Sequence, residues 1–404
     1  MRIFVHDYAG HPFQVGLSRA LAKDGHTVTH CYFADDQGPK GDFVTRAEEN
    51  GRLNFVGVSL AGGYSKTSLV SRRFKDVQYG RLVAAQIAKA RPDVVLSGNT
   101  PTEAQSEVLQ AAHKVGAAFV HWIQDFFSIA ATELLRKKSR AIGSLVGSYY
   151  RRLERNQLRR SDAIVLVTDD FLPTAAAWSG DTGKIAVIEN WGAIDEIKPL
   201  PRDNPWAVSH NLADKFVFLY SGTLALKHNP ELLLALVRAW SGNPNIVVAA
   251  VAQGVGVDRL KAVKQSEHLD NLKILPLQPV QLLSSVLASA DVLVAVLEND
   301  AGSFSVPSKV QSYLCSNRPI LLAAPATNLA AKILLRENAG VVVNPTDLDT
   351  FVTAASKIYG DAAARTTMAY NGYAYAARAY GIDAVMGSFL QVFDQALKKK
   401  KQGK

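Results

Sequence analysis

The side chains best placed to do chemistry gather in two stretches of the second half of the chain. In NDAGSFSVPSKVQSYLCSNRPILL (299–322), a loop of small and polar residues runs into a helix expected to start at Pro307. Proline suits a first helical turn, and it leaves the N–H groups of Ser308 and Lys309 free to face an anion, with the Lys309 ammonium at the same end. That pattern suits a diphosphate; the alternative is an ordinary capped helix with a solvated lysine. In YSGTLALKHNPELL (220–233), an apolar strand ends at Gly222 and Lys227 precedes a helix that Asn229 can cap, with Pro230 at its first position. Gly222 permits close backbone approach, and Lys227 could neutralise a departing phosphate. A third candidate is Asp125 in HWIQDFF, after a strand, where a carboxylate could position or deprotonate an acceptor hydroxyl; a solvated or capping aspartate is the alternative. His6, His11 and His121 lack metal-ligand spacing, and a structural role is expected of each.

Positioning these residues requires strand-to-helix loops. Short apolar strands (Ile3–Val5, TVTHCYF, LNFVGVSL, DVVLSG, AAFVHWI, DAIVLVT, KIAVIEN) alternate with helical stretches through the first half. IDEIKPLPRDNPW, with Pro199, Pro201 and Pro205, then reads as a linker. A second series follows: KFVFLYSG, a helix from Asn229 to Trp240, NIVVAAVA, LKILPL, DVLVAVL, RPILLAA and GVVVNP. The expected architecture is α/β, two doubly wound Rossmann-like domains facing a central cleft. The boundaries expected are 1–196, a linker at 197–212, 213–375, and a C-terminal helix and basic tail at 376–404, with the last helices crossing back to the first domain.

Composition sets the class. The chain has 404 residues, 48% hydrophobic and 20% charged, enough apolar material for two cores. Two distant cysteines, Cys31 and Cys315, fit a reducing compartment and exclude a cysteine-built zinc site. MRIFVHDY enters a strand pattern without the apolar core of a secretory signal, and no apolar run approaches the roughly 18–20 residues that span a bilayer. A soluble, cytoplasmic protein is expected. The net charge of +9 is local: residues 136–160 carry +8, the tail 398–404 carries +5, and the remainder sums to −4. In AIGSLVGSYYRRLERNQLRR, the residues Ile142, Leu145, Val146, Tyr149 and Leu153 recur at helical spacing beside clustered arginines. This segment reads as an amphipathic helix for an anionic membrane surface, at the inner face of the cytoplasmic membrane, or as a core-packed helix with a solvated basic face.

The chain resembles the family 4 glycosyltransferases, retaining enzymes of GT-B architecture, nearest the subgroup building bacterial O-antigen, colanic acid and other exopolysaccharides. The resemblance rests on HDYAGHPFQVGLSRALAKDGHTV, RRLERNQLRRSDAIVLVT, IENW, YSGTLALKHNPELL and SVPSKVQSYLCSNRPILL, and covers nearly the whole length. It implies transfer of a sugar from a UDP- or GDP-linked donor to a saccharide or polyprenyl-diphosphate-linked acceptor, with no metal, cofactor or nucleic acid. By the same likeness, Gly222 and Thr223 contact the donor phosphates, Lys227 stabilises the leaving diphosphate, and Ser308 and Lys309 match the donor-side helix start. Leu277 in LPLQP matches the nucleobase loop, Gly10 and His11 line the acceptor side, and Asp125 lies near the reacting sugar. One departure stands out. Many members carry two glutamates eight positions apart; here the second position holds Ser312, and the first has no acid unless Glu298 or Asp300 serves. Competing readings are a sugar-nucleotide epimerase of the same architecture and a basic-patch nucleic-acid-binding protein.

Overall fold

The structure is a computed structural model. It describes residues 1–35, 41–60, 69–136, 139–192, 194–225, 228–298 and 308–402, and the side-chain surroundings of 69–72, 130, 133–134, 308 and 402 are not among what it describes. The chain divides into two compact units, 1–190 with 382–404, and 191–381.

The N-terminal unit is built on seven strands: β1 (Arg2–Asp7), β2 (Thr27–Phe33), β3 (Leu53–Val58), β4 (Val94–Gly98), β5 (Ala118–Ile123), β6 (Ala163–Leu166) and β7 (Ile185–Val187). They pair in the order β3-β2-β1-β4-β5-β6-β7, every pairing parallel. The helices are α1 (Pro12–Lys23), α2 (Leu69–Ala90), α3 (Thr102–Lys114), α4 (Phe127–Arg136), α5 (Arg140–Arg160) and α6 (Leu172–Ser179). β4 and β6 are buried at every position, as expected of strands covered by helices on both faces. α1 begins with Pro12 at its first turn, buries Val15, Leu17 and Leu21, and gives way at Gly25, whose φ of +91° a glycine tolerates best. The C-terminal helix (Ile382–Gln402) returns to this unit, where Phe389 and Phe393 are fully buried and Phe389 meets Trp122 edge-on at 4.9 Å. Each such aromatic burial stabilises by about 1.5–3 kcal/mol.

The second unit carries six strands: β8 (Phe216–Thr223), β9 (Ile246–Gln253), β10 (Leu272–Leu275), β11 (Val292–Val296), β12 (Ile320–Ala323) and β13 (Gly340–Val343), ordered β10-β9-β8-β11-β12-β13 and all parallel. Its helices are α7 (Pro205–Ser209), α8 (Pro230–Ala239), α9 (Val255–Glu267), α10 (Leu283–Ala288), α11 (Ser308–Leu314), α12 (Leu329–Arg336), α13 (Leu348–Gly360) and α14 (Ala362–Ala379). Asn229 caps α8, its Oδ1 accepting from the Glu231 N–H at 3.0 Å, with Pro230 at the first position. The proline-rich segment read as a linker folds onto this unit. Arg202 pairs with Asp291 at 3.0 Å, Asn204 caps α7, and Trp206 is buried.

Both sheets reverse direction beside their first strand, between β1 and β4 and between β8 and β11. Ligands of open α/β sheets bind beyond the carboxyl ends of the strands at such switch points.

Candidate active site

At the β8/β11 switch point, Gly222 near the end of β8 and Lys309 in the first turn of α11 come together. Gly222 has φ +128°, a conformation that costs any other residue strain. A Cβ there would stand 3.5 Å from Lys309 Cε and 3.9 Å from Nζ, in van der Waals contact with the lysine. Lys309 Nζ donates to the Tyr220 hydroxyl at 2.5 Å and lies 4.1 Å from the centre of its ring. Tyr220 in turn donates to the Thr223 carbonyl at 2.7 Å, and burial raises its pKa, so the phenol stays protonated. Tyr313, one helical turn beyond Lys309, is fully buried; its hydroxyl accepts from the Ser221 N–H at 2.8 Å and faces the carbonyls of Ser221 and Val294 at 3.1 and 3.3 Å. The helix bearing the lysine is thereby tied to both strands flanking the switch point. A held cation beside a glycine backbone is suited to stabilising developing negative charge.

Of the other donor-side expectations, Thr223 is exposed, and Leu277 is 36% exposed in the loop after β10. Glu298 follows β11 and is half-buried, as is Ser312 on α11. Ser308 opens α11. Lys227, Asp300 and Pro307 lie outside the described residues.

At the β1/β4 switch point, Asp7 is wholly buried at the end of β1. Its Oδ2 accepts from the His11 N–H at 2.5 Å, and its Oδ1 lies 3.5 Å from His11 Nδ1. Asn99, just past β4, reaches the same nitrogen at 3.2 Å. Gly10 takes φ +71° and its carbonyl accepts from the Gly41 N–H at 2.8 Å. His6 is structural: burial depresses its pKa to about 3, and the neutral ring lies between Ser97 and Tyr79, each 2.9 Å away.

Beside this loop lies a cavity of about 210 Å³ whose lining includes Tyr8, Asp76, Glu103, His121, Trp122 and Asp125. Asp125 is exposed at its mouth, following β5. Burial lowers the His121 pKa to about 4, leaving a neutral ring. An inner extension reaches Glu154 of α5, whose carboxylate accepts from Ser128 N–H at 3.2 Å and Ser128 Oγ at 2.5 Å. Burial pushes Glu154 up to about 7 against these hydrogen bonds, and the Asp125 charge adds to the rise.

The sequence reading missed Asp7, Asn99, Asp76, Glu103, Glu154, Tyr220 and Tyr313. Asp7 was the most visible of them, a charged residue closing an apolar strand. Asn99, Asp76, Glu103 and Glu154 acquire meaning only when strand order brings α2, α3 and α5 beside β1 and β4, and Tyr220 and Tyr313 only when β8 pairs with β11.

On α5, Gly143, Gly147, Glu154, Gln157 and Leu158 face inward. A Cβ on Gly147 would fall 1.9 Å from Thr132 Oγ1, so α4 packs directly on that backbone. The apolar stripe points outward: Leu145 is 75% exposed and Ile142 56%, with Tyr149 also exposed and Val146 and Leu153 half-buried. Phe74 on α2 is 73% exposed, and neighbouring Arg73 lies 5.0 Å over the Tyr149 ring. Three of the five stripe residues are thus exposed and two are partly packed against the protein. Among the described residues, no helix is long and apolar enough to cross a membrane.

Residues 12–191 match the glycosyl transferase 4-like domain family. The chain is 25% identical over 262 residues to a protein of Pseudomonas aeruginosa named probable glycosyltransferase WbjE, covering 64% of each. It is 24% identical over 267 residues, 65% of each, to WcaI of Escherichia coli K12, named for colanic acid biosynthesis. These alignments thus span just under two thirds of the relatives' length. Among solved structures, Anabaena HepE in complex with UDP superposes with a TM-score of 0.71 at 13% identity, covering 98% of this chain and 100% of that one. Sucrose-phosphate synthase of Thermosynechococcus elongatus gives 0.72 at 16% identity, covering 98% of each. The fold is that of the GT-B glycosyltransferases, and the resemblance to family 4 drawn from the sequence is borne out.

Proposed function

We propose that the chain is a retaining, metal-independent glycosyltransferase of cell-surface polysaccharide synthesis. It moves a sugar from a nucleotide-sugar, UDP-linked in first place and GDP-linked in second, to a saccharide acceptor carried on a polyprenyl diphosphate. The observation that carries this reading is the Gly222–Lys309 pair at the β8/β11 switch point. When the sugar–phosphate bond breaks, its electron pair stays on the diphosphate oxygen. The Lys309 ammonium, joined by Lys227, absorbs that charge in the role a metal ion would otherwise fill. Gly222 and Thr223 border the phosphates, Leu277 lies in the nucleobase loop, and Glu298 or Ser312 meets the ribose. In the other unit, Gly10 and His11 line the acceptor side, and the acceptor hydroxyl oxygen forms the new bond to the sugar as its proton passes to the Asp125 carboxylate. Neighbours that bind UDP, together with a relative named for colanic acid biosynthesis, support the donor and the pathway class.

The outward stripe of α5 supports a peripheral position on the inner face of the cytoplasmic membrane. Its exposed apolar side chains would enter the interface while neighbouring arginines meet anionic headgroups, each worth about 1 kcal/mol.

Calorimetric titration of UDP, GDP and ADP without metal into wild type and Lys309→Ala tests the donor site. One nucleotide should bind, and the substitution should weaken it at least tenfold, about 1.4 kcal/mol. Absence of binding to folded protein, or equal affinity in the variant, refutes the assignment. Conversion of a bound sugar nucleotide to its epimer without any acceptor would replace transfer by epimerisation.

A further inference from the structure

The cavity at the β1/β4 switch point holds carboxylates on three separate elements: Asp76 on α2, Glu103 in the first turn of α3, and Asp125 after β5. None of the described residues lining it is basic, and His121 is neutral at physiological pH. Glu103 is only 6% exposed, and its Oε1 has no hydrogen-bond partner among the described residues although Glu103 borders the cavity. A buried carboxylate oxygen left without a donor is costly unless a ligand supplies one. The walls are aromatic: Tyr8, Trp122, Phe127 and Tyr150, the last two packed edge-to-face at 4.8 Å. Aromatic faces accept the C–H face of a sugar ring, and carboxylates accept its hydroxyls. A ligand bearing its own carboxylate or phosphate would bring like charge against Glu103, whose side chain is nearly wholly buried and so less screened by water than a surface group.

We propose that this cavity selects an acceptor sugar unit that carries no negative charge, and that Glu103 is its specificity-determining residue. The inference rests on the glycosyl-transfer reading and narrows it: uronic acids and phosphorylated sugars are excluded as the acceptor residue. The anionic diphosphate of a lipid carrier would lie outside this cavity, where the exposed face of α5 presents Arg151, Arg152 and Arg155.

The test compares methyl α-D-glucopyranoside with its C6-carboxylate counterpart, methyl α-D-glucopyranosiduronate, by saturation-transfer NMR on the full chain. The pair differs in charge at one carbon. Wild type should bind the neutral glycoside at least tenfold more tightly, and Glu103→Gln should cut that ratio below threefold by gaining affinity for the uronate. UDP affinity and unfolding temperature, measured on the same samples, establish that the variant is folded with its donor site intact. If Glu103→Gln does not fold, Asp125→Asn, at an exposed position, should lower the ratio by a smaller factor. Equal or tighter uronate binding by wild type, no binding of either glycoside, or an unchanged ratio in the variants overturns the proposal. Failure of wild type to bind any nucleotide would instead strike the glycosyl-transfer reading, so the two failures are distinguishable.

Discussion

Glu154 makes the folded state sensitive to pH in a direction opposite to that of most carboxylates. Its side chain is buried where α5 meets the start of α4, between Ser128 and the inner end of the acidic cavity. Burial is the largest influence on its titration and moves it from an ordinary 4.5 to about 7, overcoming two hydrogen bonds from Ser128. The groups facing it are Ser128 and the Phe127 N–H on α4, the Asp125 charge, and the neutral His121 ring across the inner cavity. Below pH 4.5 the carboxyl is protonated in both folded and unfolded chains, and its contribution is fully present. As pH rises through 7 the folded state must ionise a buried acid, and that stability is lost. At about 1.36 kcal/mol per pH unit, the loss between pH 4.5 and 8 is of the order of 3 kcal/mol. Glu154→Gln preserves the shape and can still meet Ser128, but cannot ionise. Urea unfolding of both proteins at a series of pH values should give matching stabilities near pH 4.5. The variant should then pull ahead by about 2–3 kcal/mol at pH 8. Parallel curves across that window would show that the carboxyl ionises without cost, and that burial does not govern it.

Two further perturbations separate the sites. Gly222→Ala forces a Cβ into a φ of +128° beside Lys309. It should cost about 1–3 kcal/mol and lower the unfolding temperature by several degrees, with a parallel loss of UDP affinity in calorimetry. An unchanged unfolding temperature would mean the loop relaxes without strain. Leu145→Asp changes a side chain that is 75% exposed, so stability should stay within about 0.5 kcal/mol of wild type. Co-sedimentation with vesicles containing phosphatidylglycerol should nevertheless fall about tenfold or more, given about 1.5–3 kcal/mol for burying a leucine. Unaltered sedimentation would remove the outward stripe from the membrane argument.

The alternation of apolar runs made both sheets legible, because strands covered on both faces must be apolar throughout. KFVFLYSG became β8 and DVLVAVL became β11 for that reason. Strand order was not legible, since it depends on which helices cross which face. The sites at the reversals were therefore visible only through local features such as Gly222 and the lysine after Pro307. Prolines in the 197–212 segment suggest separation, whereas Pro205 starts a short helix that buries Trp206 and Arg202 anchors to Asp291. In α5 the apolar spacing was read correctly, but its orientation was not fixed by it. The face with Gly143 and Gly147 packs closest because it has no side chains to hold α4 away.

The return of the C-terminal helix has a consequence for synthesis. Phe389 and Phe393 complete a core whose other members end at residue 190, and the whole second unit intervenes. At about 5–20 residues per second, a ribosome needs about 10–40 s to travel from one to the other. Throughout that interval the N-terminal sheet exists with a bare apolar groove beside Trp122, while the unit made later can already be finished. The order of completion is the reverse of the order of translation, and the nascent N-terminal half is the stage most exposed to chaperones and to aggregation.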